Sequence, residues 1–335
     1  MIREGILFDE LPDKKVKCNV CSHRCTIAEG KVGICRTRQN KNGKIYTLIY
    51  NTVSSENVDP IEKKPLYHFL PGTLSYSLGS IGCNFRCQHC QNWNISQVNP
   101  EESYTMEITP ETAIQRALES GSKSISWTYN EPAIWHEYTF DSAVLAKKAG
   151  LKTVYVTNGY ITPEALRRIA PHLDAYRVDI KSFSGDFYRK ICGARLAPVL
   201  ESTKLARELG MHVETVTLII PGKNDSPGEI TQIVQWVHDN VGIDTPMHFT
   251  RFHPMYKMDG LHPTPLGTLE MAYDIAKKVG MRFVYLGNVG GHRYENTYCP
   301  KCNALLIDRL GFRVGAVKIR DGKCPECGET IPIVA

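Results

Sequence analysis

Between about Leu74 and Asn288 the chain alternates between two hydrophobic periods. Stretches in which apolar residues recur at i, i+3, i+4 and i+7 are separated by short β-rich runs. Ile230, Ile233, Val234 and Val237 form one helical face, and Leu269, Ala272, Tyr273 and Ala276 form another. Thr109-Pro110-Glu111, Thr162-Pro163-Glu164 and Ser226-Pro227-Gly228-Glu229 each set a capping hydroxyl before a proline, which predicts three helix starts. Gly121, Gly150, Gly210 and Gly280 fall where helices should stop. Strands are predicted at 74–81, 124–128, 151–157, 175–180, 213–220, 247–251 and 283–286. Six or seven βα units around a parallel sheet give an α/β class. They exceed a mononucleotide-binding half and suit a full or partial (β/α) barrel, in which function gathers at the C-terminal ends of strands.

The alternation divides the chain into three parts. Residues 1–72 lack it and read as a Cys-rich N-terminal extension with short strands at 45–51 and 65–70. Residues 73–288 are the barrel, and residues 289–335 form a zinc-ribbon-like unit. Apolar residues make up 42% and charged residues 22%, and no apolar stretch approaches the roughly 20 residues of a membrane-spanning helix. Met1–Phe8 carries no signal-like pattern, so a cytoplasmic location is expected. In that reducing compartment twelve cysteines read as metal ligands rather than disulfides. Eleven fall into three tight groups; Cys192 stands alone and reads as an ordinary buried thiol. A net charge of +5 suits an anionic substrate or nucleic acid but is too small to establish either.

The central group is Gly82-Cys83-Asn84-Phe85-Arg86-Cys87-Gln88-His89-Cys90, directly after a predicted strand. Cys83, Cys87 and Cys90 supply three thiolates, one short of the four that normally enclose a [4Fe-4S] cube. The open iron suits chelation by the amino and carboxylate groups of S-adenosylmethionine (SAM). One electron would then cleave SAM to a 5′-deoxyadenosyl radical. Structural zinc, with His89 as fourth ligand, and three buried thiols are the plainer alternatives.

Cys299, Cys302, Cys324 and Cys327 form two Cys-x-x-Cys knuckles separated by 21 residues, the spacing of a zinc ribbon. Cys18, Cys21, Cys25 and Cys35 also supply four thiolates, enough for zinc or an auxiliary [4Fe-4S] cluster. The wide last spacing slightly favours zinc, and the electron-relaying cluster stays open as its rival.

The cysteine loop resembles the radical SAM superfamily signature, and the motifs downstream are similar to those of glycyl-radical-enzyme activases. Four segments, Pro60–Gly72, Cys90–Trp93, Thr128–Pro132 and Thr297–Pro300, resemble the AmmeMemoRadiSam system radical SAM family over nearly the whole chain. The resemblance implies an oxygen-sensitive oxidoreductase or isomerase that abstracts hydrogen from an unidentified small molecule. It also implies an electron donor such as flavodoxin or ferredoxin, and AMMECR-like and MEMO-like partner proteins. SAM binding is carried over to Asn130 and Glu131, in a segment where Tyr129 and Asn130 stand in place of the superfamily's two glycines, and to Asn158, Asp179, Lys181, His253 and Asn288. Plainer readings stand beside these: a first-turn acid for Glu131, a tight turn at Asn158-Gly159, and an ion pair for Asp179 and Lys181.

Two other functions compete. A glycyl-radical-enzyme activase would act on a partner protein, but the stretch from Asn92 to Lys190 lacks the cysteines of the ferredoxin-like insertion many activases carry. A non-catalytic RNA- or protein-binding module stabilised by metals is the third reading.

Overall fold

The computed structural model describes residues 1–335. Its centre is an eight-stranded sheet of β1 (Ser55–Pro60), β2 (Leu74–Gly79), β3 (Ser124–Trp127), β4 (Lys152–Thr157), β5 (Ala175–Asp179), β6 (His212–Ile219), β7 (Met247–Arg251) and β8 (Val284–Gly287). The strands lie in sequence order across the sheet; β2 to β8 are parallel and β1 pairs antiparallel with β2. β1 and β8 do not pair with each other, so the sheet is open.

The crossovers are helices α1 (Pro110–Glu119), α2 (His136–Lys148), α3 (Pro163–Ile169), α4 (Leu196–Glu208), α5 (Pro227–Asn240) and α6 (Leu266–Val279). The predicted caps form. Thr109, Thr162 and Ser226 accept the amides of Thr112, Ala165 and Glu229, satisfying donors that have no partner inside the helix. Ile230, Ile233, Val234 and Val237 are all buried on α5, as their spacing predicts. Helices cover the sheet, so its strands are buried on both faces; β3 has four consecutive buried residues. No helix is long and apolar enough to cross a membrane.

One core cluster of 59 buried residues joins this sheet to Cys35, Ile49, Tyr50 and Val53, so the N-terminal residues share the core of the sheet. Two three-stranded sheets lie there, Arg3–Glu4 with Arg38–Lys41 and Lys44–Thr47, and Phe8–Glu10 with Val16–Cys18 and Thr26–Ile27. A buried bidentate pair fixes them to α2: Arg38 donates to Glu137 at 2.8 and 2.6 Å, with both side chains 2% exposed.

Two predicted strands require correction. The segment 45–51 is strand only at Lys44–Thr47, and 65–70 is not a strand; Phe69 makes a single bridge to Val334. The reason is a buried carboxylate. Glu214, at the start of β6, accepts the amides of Tyr67 (3.0 Å) and His68 (2.8 Å) and the ring nitrogens of His212 (2.9 Å) and His248 (2.7 Å). Backbone donors bonded to a side chain are not free for a ladder. Burial opposes the charge of Glu214, but the two histidine bonds outweigh it and hold the carboxyl low.

The C-terminal meander of β9 (Thr297–Tyr298), β10 (Leu305–Leu310) and β11 (Arg313–Val317) is fastened beside this point. Arg309 donates to Thr297 Oγ1 at 2.7 Å and to Tyr67 O at 2.8 Å.

The Arg38–Glu137 pair carries a testable stability. Arg38→Ala leaves Glu137 charged and buried, and equilibrium denaturation is expected to show a loss of about 3–5 kcal/mol. Burial raises the Glu137 carboxyl, but Arg38 outweighs it and brings the group down to about 2. The wild type should therefore hold the pair's contribution above the ordinary carboxylate range and lose it as pH falls towards about 2. The variant should lack that acid-dependent step.

Candidate active site at the strand ends

Parallel strands in register bring the residues that follow them to one edge, where a cavity of about 460 Å³ opens. Cys83, Cys87 and Cys90 line it together with residues from the C-terminal parts of β3 to β8 and the loops that follow them. Two elements turn the cysteine loop inward. Gly82 has φ +84°, and a Cβ there would stand 2.7 Å from Cys35 O, so glycine is required on both counts. Arg86 N and Gln88 N donate to Cys192 O (2.7 Å) and Ile191 O (3.0 Å), which ties the loop to the segment before α4.

Asparagines lock the loop to the strand ends. Asn130 accepts from Ser80 N at 3.1 Å and donates to Gly82 O at 2.8 Å. Asn158 donates to Asn84 Oδ1 at 2.8 Å and lies 3.7 Å from Cys83 Sγ, and Asn92 donates to Tyr129 O at 2.6 Å. Tyr129 itself has φ +70°, the left-handed conformation a glycine would favour. Holding a tyrosine in that conformation costs roughly 1–3 kcal/mol.

Glu131 lies behind this layer, fully buried. It accepts from Ala133 N (3.0 Å), Thr157 Oγ1 (2.7 Å) and Asn158 N (2.8 Å), joining the end of β3 to the end of β4. Burial pushes its carboxyl up to about 7 against the pull of these three donors. Glu131 does not line the cavity and caps the turn Pro132–Trp135 that leads into α2. Asn130, Asn158, Asp179, Lys181 and Asn288 do line it, whereas His253 is exposed and stands outside.

Asp179 and Lys181 pair at 2.9 Å, and Arg177 bonds the other Asp179 oxygen. Burial works against the Lys181 ammonium, but Asp179 and the Cys87 thiol outweigh it and raise the group. Arg177 was not singled out in the sequence. The signal was there, because residues 177 and 179 alternate onto one face of β5. Lys64 also lines the cavity, held at 2.7 Å by Asp59 Oδ2, which accepts Tyr129 OH at the same distance. No periodicity marks it.

The chemistry of the donor set can be read from spacing. Cys299, Cys302, Cys324 and Cys327 have sulfurs that all lie within 4.8 Å, with contacts of 3.5 and 3.6 Å across the knuckles. Sulfurs sharing a zinc at about 2.3 Å stand about 3.8 Å apart, so this quartet has the gauge of a single metal ion. The Cys83, Cys87 and Cys90 thiols form no such group, with or without His89. A tetrahedral zinc with His89 as fourth ligand is therefore not supported. Three thiols set wider around an open cavity fit an iron–sulfur cube, which places each thiolate on its own iron. Burial pushes Cys83 far up, and Cys87 is raised first by its hydrogen bond with Cys192 and then by burial. Coordination is what would hold them as thiolates.

Comparisons with known proteins agree with this geometry. The Radical SAM superfamily profile matches residues 78–237. The chain is 46% identical over 335 residues to the uncharacterized protein MJ0808 of Methanocaldococcus jannaschii, covering 99% of this chain and 100% of the relative. It is 25% identical over 161 residues to the pyruvate formate-lyase-activating enzyme of Clostridium pasteurianum, covering 45% of this chain and 64% of that one. Among solved structures it shares its fold with Streptococcus suis SuiB bound to S-adenosylmethionine, at a TM-score of 0.51 and 14% identity over 64% of this chain and 52% of that one. The chain therefore belongs to one family with MJ0808, and its residues 78–237 match the Radical SAM superfamily model.

Proposed function

We propose that this protein cleaves SAM reductively and uses the 5′-deoxyadenosyl radical to abstract hydrogen from a small molecule. The observation that carries the reading is one cavity lined at once by the three cysteines and by the C-terminal parts of β3 to β8 and the loops that follow them. A [4Fe-4S] cluster on Cys83, Cys87 and Cys90 supplies the electron and a free iron site for the amino and carboxylate groups of SAM.

The chain's own residues do the rest. Asp179 accepts hydrogen bonds, and Arg177 and Lys181 hold it ionised beside the cysteines, so the three present a fixed dipolar wall to a zwitterionic amino acid group. Asn130 and Asn158 orient the cysteine loop, and Glu131 positions Asn158 from behind. Asn288, which donates to Arg251 O at 3.0 Å, lines the far side, where its amide suits the adenine. His253, exposed and off the cavity lining, has no role in this reading.

We propose further that the C-terminal quartet holds zinc as a structural clamp and that the protein works in the cytoplasm with a flavodoxin- or ferredoxin-class donor. AMMECR-like and MEMO-like partners follow from the family resemblance. A second reading, activation of a glycyl-radical enzyme, is favoured by the likeness to the pyruvate formate-lyase-activating enzyme. It requires a partner protein that gains a glycyl radical visible by electron paramagnetic resonance.

Anaerobic reconstitution with iron, sulfide, SAM and dithionite should yield 5′-deoxyadenosine, and Cys83→Ala, Cys87→Ala or Cys90→Ala should abolish it. A wild type that makes none under verified reducing conditions overturns the reading. Lys181→Ala should weaken SAM binding, measured by equilibrium dialysis, about 10-fold or more, the loss expected for a charge-assisted site at roughly 1.5–3 kcal/mol.

A further inference from the structure

The four N-terminal cysteines are gathered by separate pieces of chain. Cys18 ends the strand Val16–Cys18, and its amide donates to Cys25 O at 2.9 Å, closing a turn that carries Cys21. Cys21 bridges Ile161, and Ser22 N donates to Tyr160 O at 2.9 Å, which fixes the turn on the loop after β4. Thr37 Oγ1 donates to Cys35 Sγ at 3.3 Å, and a Cβ on Gly33 would stand 3.6 Å from Cys25 Sγ, so the chain leading to Cys35 runs against Cys25.

Cys18, Cys21 and Cys35 are buried and Cys25 is half-buried. The turn closed by Cys18 and Cys25 and the stretch from Gly33 to Cys35 thus lie against each other. Yet no three of the four thiols converge within 4.8 Å, whereas the C-terminal quartet does. One chain thus holds two four-cysteine sites of different gauge. The C-terminal one is the size of a single ion, and the N-terminal one is wider, as a cube with one thiolate per iron requires.

The site touches the cysteine triplet. His23, between Cys21 and Cys25, lies with its Nε2 2.7 Å from Asn84 O. Arg86 donates to Cys83 O at 2.7 Å and to Ile34 O, and Cys35 O stands against Gly82, the residue before Cys83.

We infer that Cys18, Cys21, Cys25 and Cys35 bind an auxiliary [4Fe-4S] cluster that relays electrons to the site at Cys83, Cys87 and Cys90. This relay role rests on the proposed function; the identity of the metal does not. Four protein ligands leave no iron open for substrate, so the cluster serves transfer. Each electron from a one-electron donor of the ferredoxin or flavodoxin class enters the auxiliary cluster and leaves it for the triplet site. The donor is oxidised, the triplet site is reduced, and no bond or proton changes hands.

Metal and sulfide counting on the anaerobically reconstituted full chain tests the inference, with the Cys83→Ala/Cys87→Ala/Cys90→Ala variant in parallel. The expected wild type holds about eight irons, eight sulfides and one zinc, and the triple variant keeps about four irons with the electron paramagnetic resonance signal of a reduced [4Fe-4S] cluster. About four irons and two zincs in the wild type, with no iron left in the triple variant, overturns the inference. About four irons in both proteins instead upholds the auxiliary cluster and sinks the proposed function. Cys21→Ser, which leaves the triplet intact, should slow dithionite-driven reduction of the triplet site at least about 10-fold in stopped-flow absorbance; an unchanged rate in protein that has lost four irons overturns the relay.

Discussion

The cysteine loop stays open because a buried carboxylate holds the strand ends behind it. Glu131 bonds the backbone of Asn158, the hydroxyl of Thr157 and the amide of Ala133, and Asn158 in turn holds Asn84 beside Cys83. The cost is a carboxyl removed from water, visible in its displacement to about 7. That cost is offset by three hydrogen bonds, which also set the distance between β3 and β4 at the cavity floor.

Polar anchoring recurs at both ends of the sheet. At the start of β6, Glu214 gathers two backbone amides and two histidines, so the segment before β2 is held without becoming a strand. Beside α2, Arg38 and Glu137 attach the N-terminal sheets and bring Arg38 near the thiols of Cys18 and Cys35. Arg309, buried beside Glu62 at 3.8 Å, does the same for the C-terminal meander. These contacts are charged and dry, so they specify one arrangement of the three parts of the chain more sharply than apolar packing would.

The three cysteine groups illustrate how spacing in sequence and spacing in space differ. Two of them supply four thiolates each; spacing read as a zinc ribbon for the C-terminal four and only slightly favoured zinc for the N-terminal four. Only the C-terminal one closes to the size of a single ion. Its first knuckle sits between β9 and β10 and its second follows β11, and against burial the amides of Cys302 and Lys301 help bring Cys299 down to about 7. The N-terminal four are spread over a strand, a turn and a separate loop pressed against the cysteine triplet.

Local patterns in the sequence sufficed for the helix caps at Thr109, Thr162 and Ser226, the βα alternation, the buried face of α5 and the cysteine triplet, because each depends on residues within a few positions of one another. The same holds for Asp179 and Lys181, which stand two positions apart at and just past the end of β5. Tertiary structure alone decided that residues 65–70 are not a strand, that Glu131 turns inward while Asn130 faces the cavity, and that Arg177 and Lys64 join the site. Each of these outcomes is set by a partner distant in sequence: Glu214 for Tyr67 and His68, Asn158 for Glu131. Hydrophobic period records which face of an element is buried, but it carries no trace of which distant polar group a buried donor or acceptor will meet.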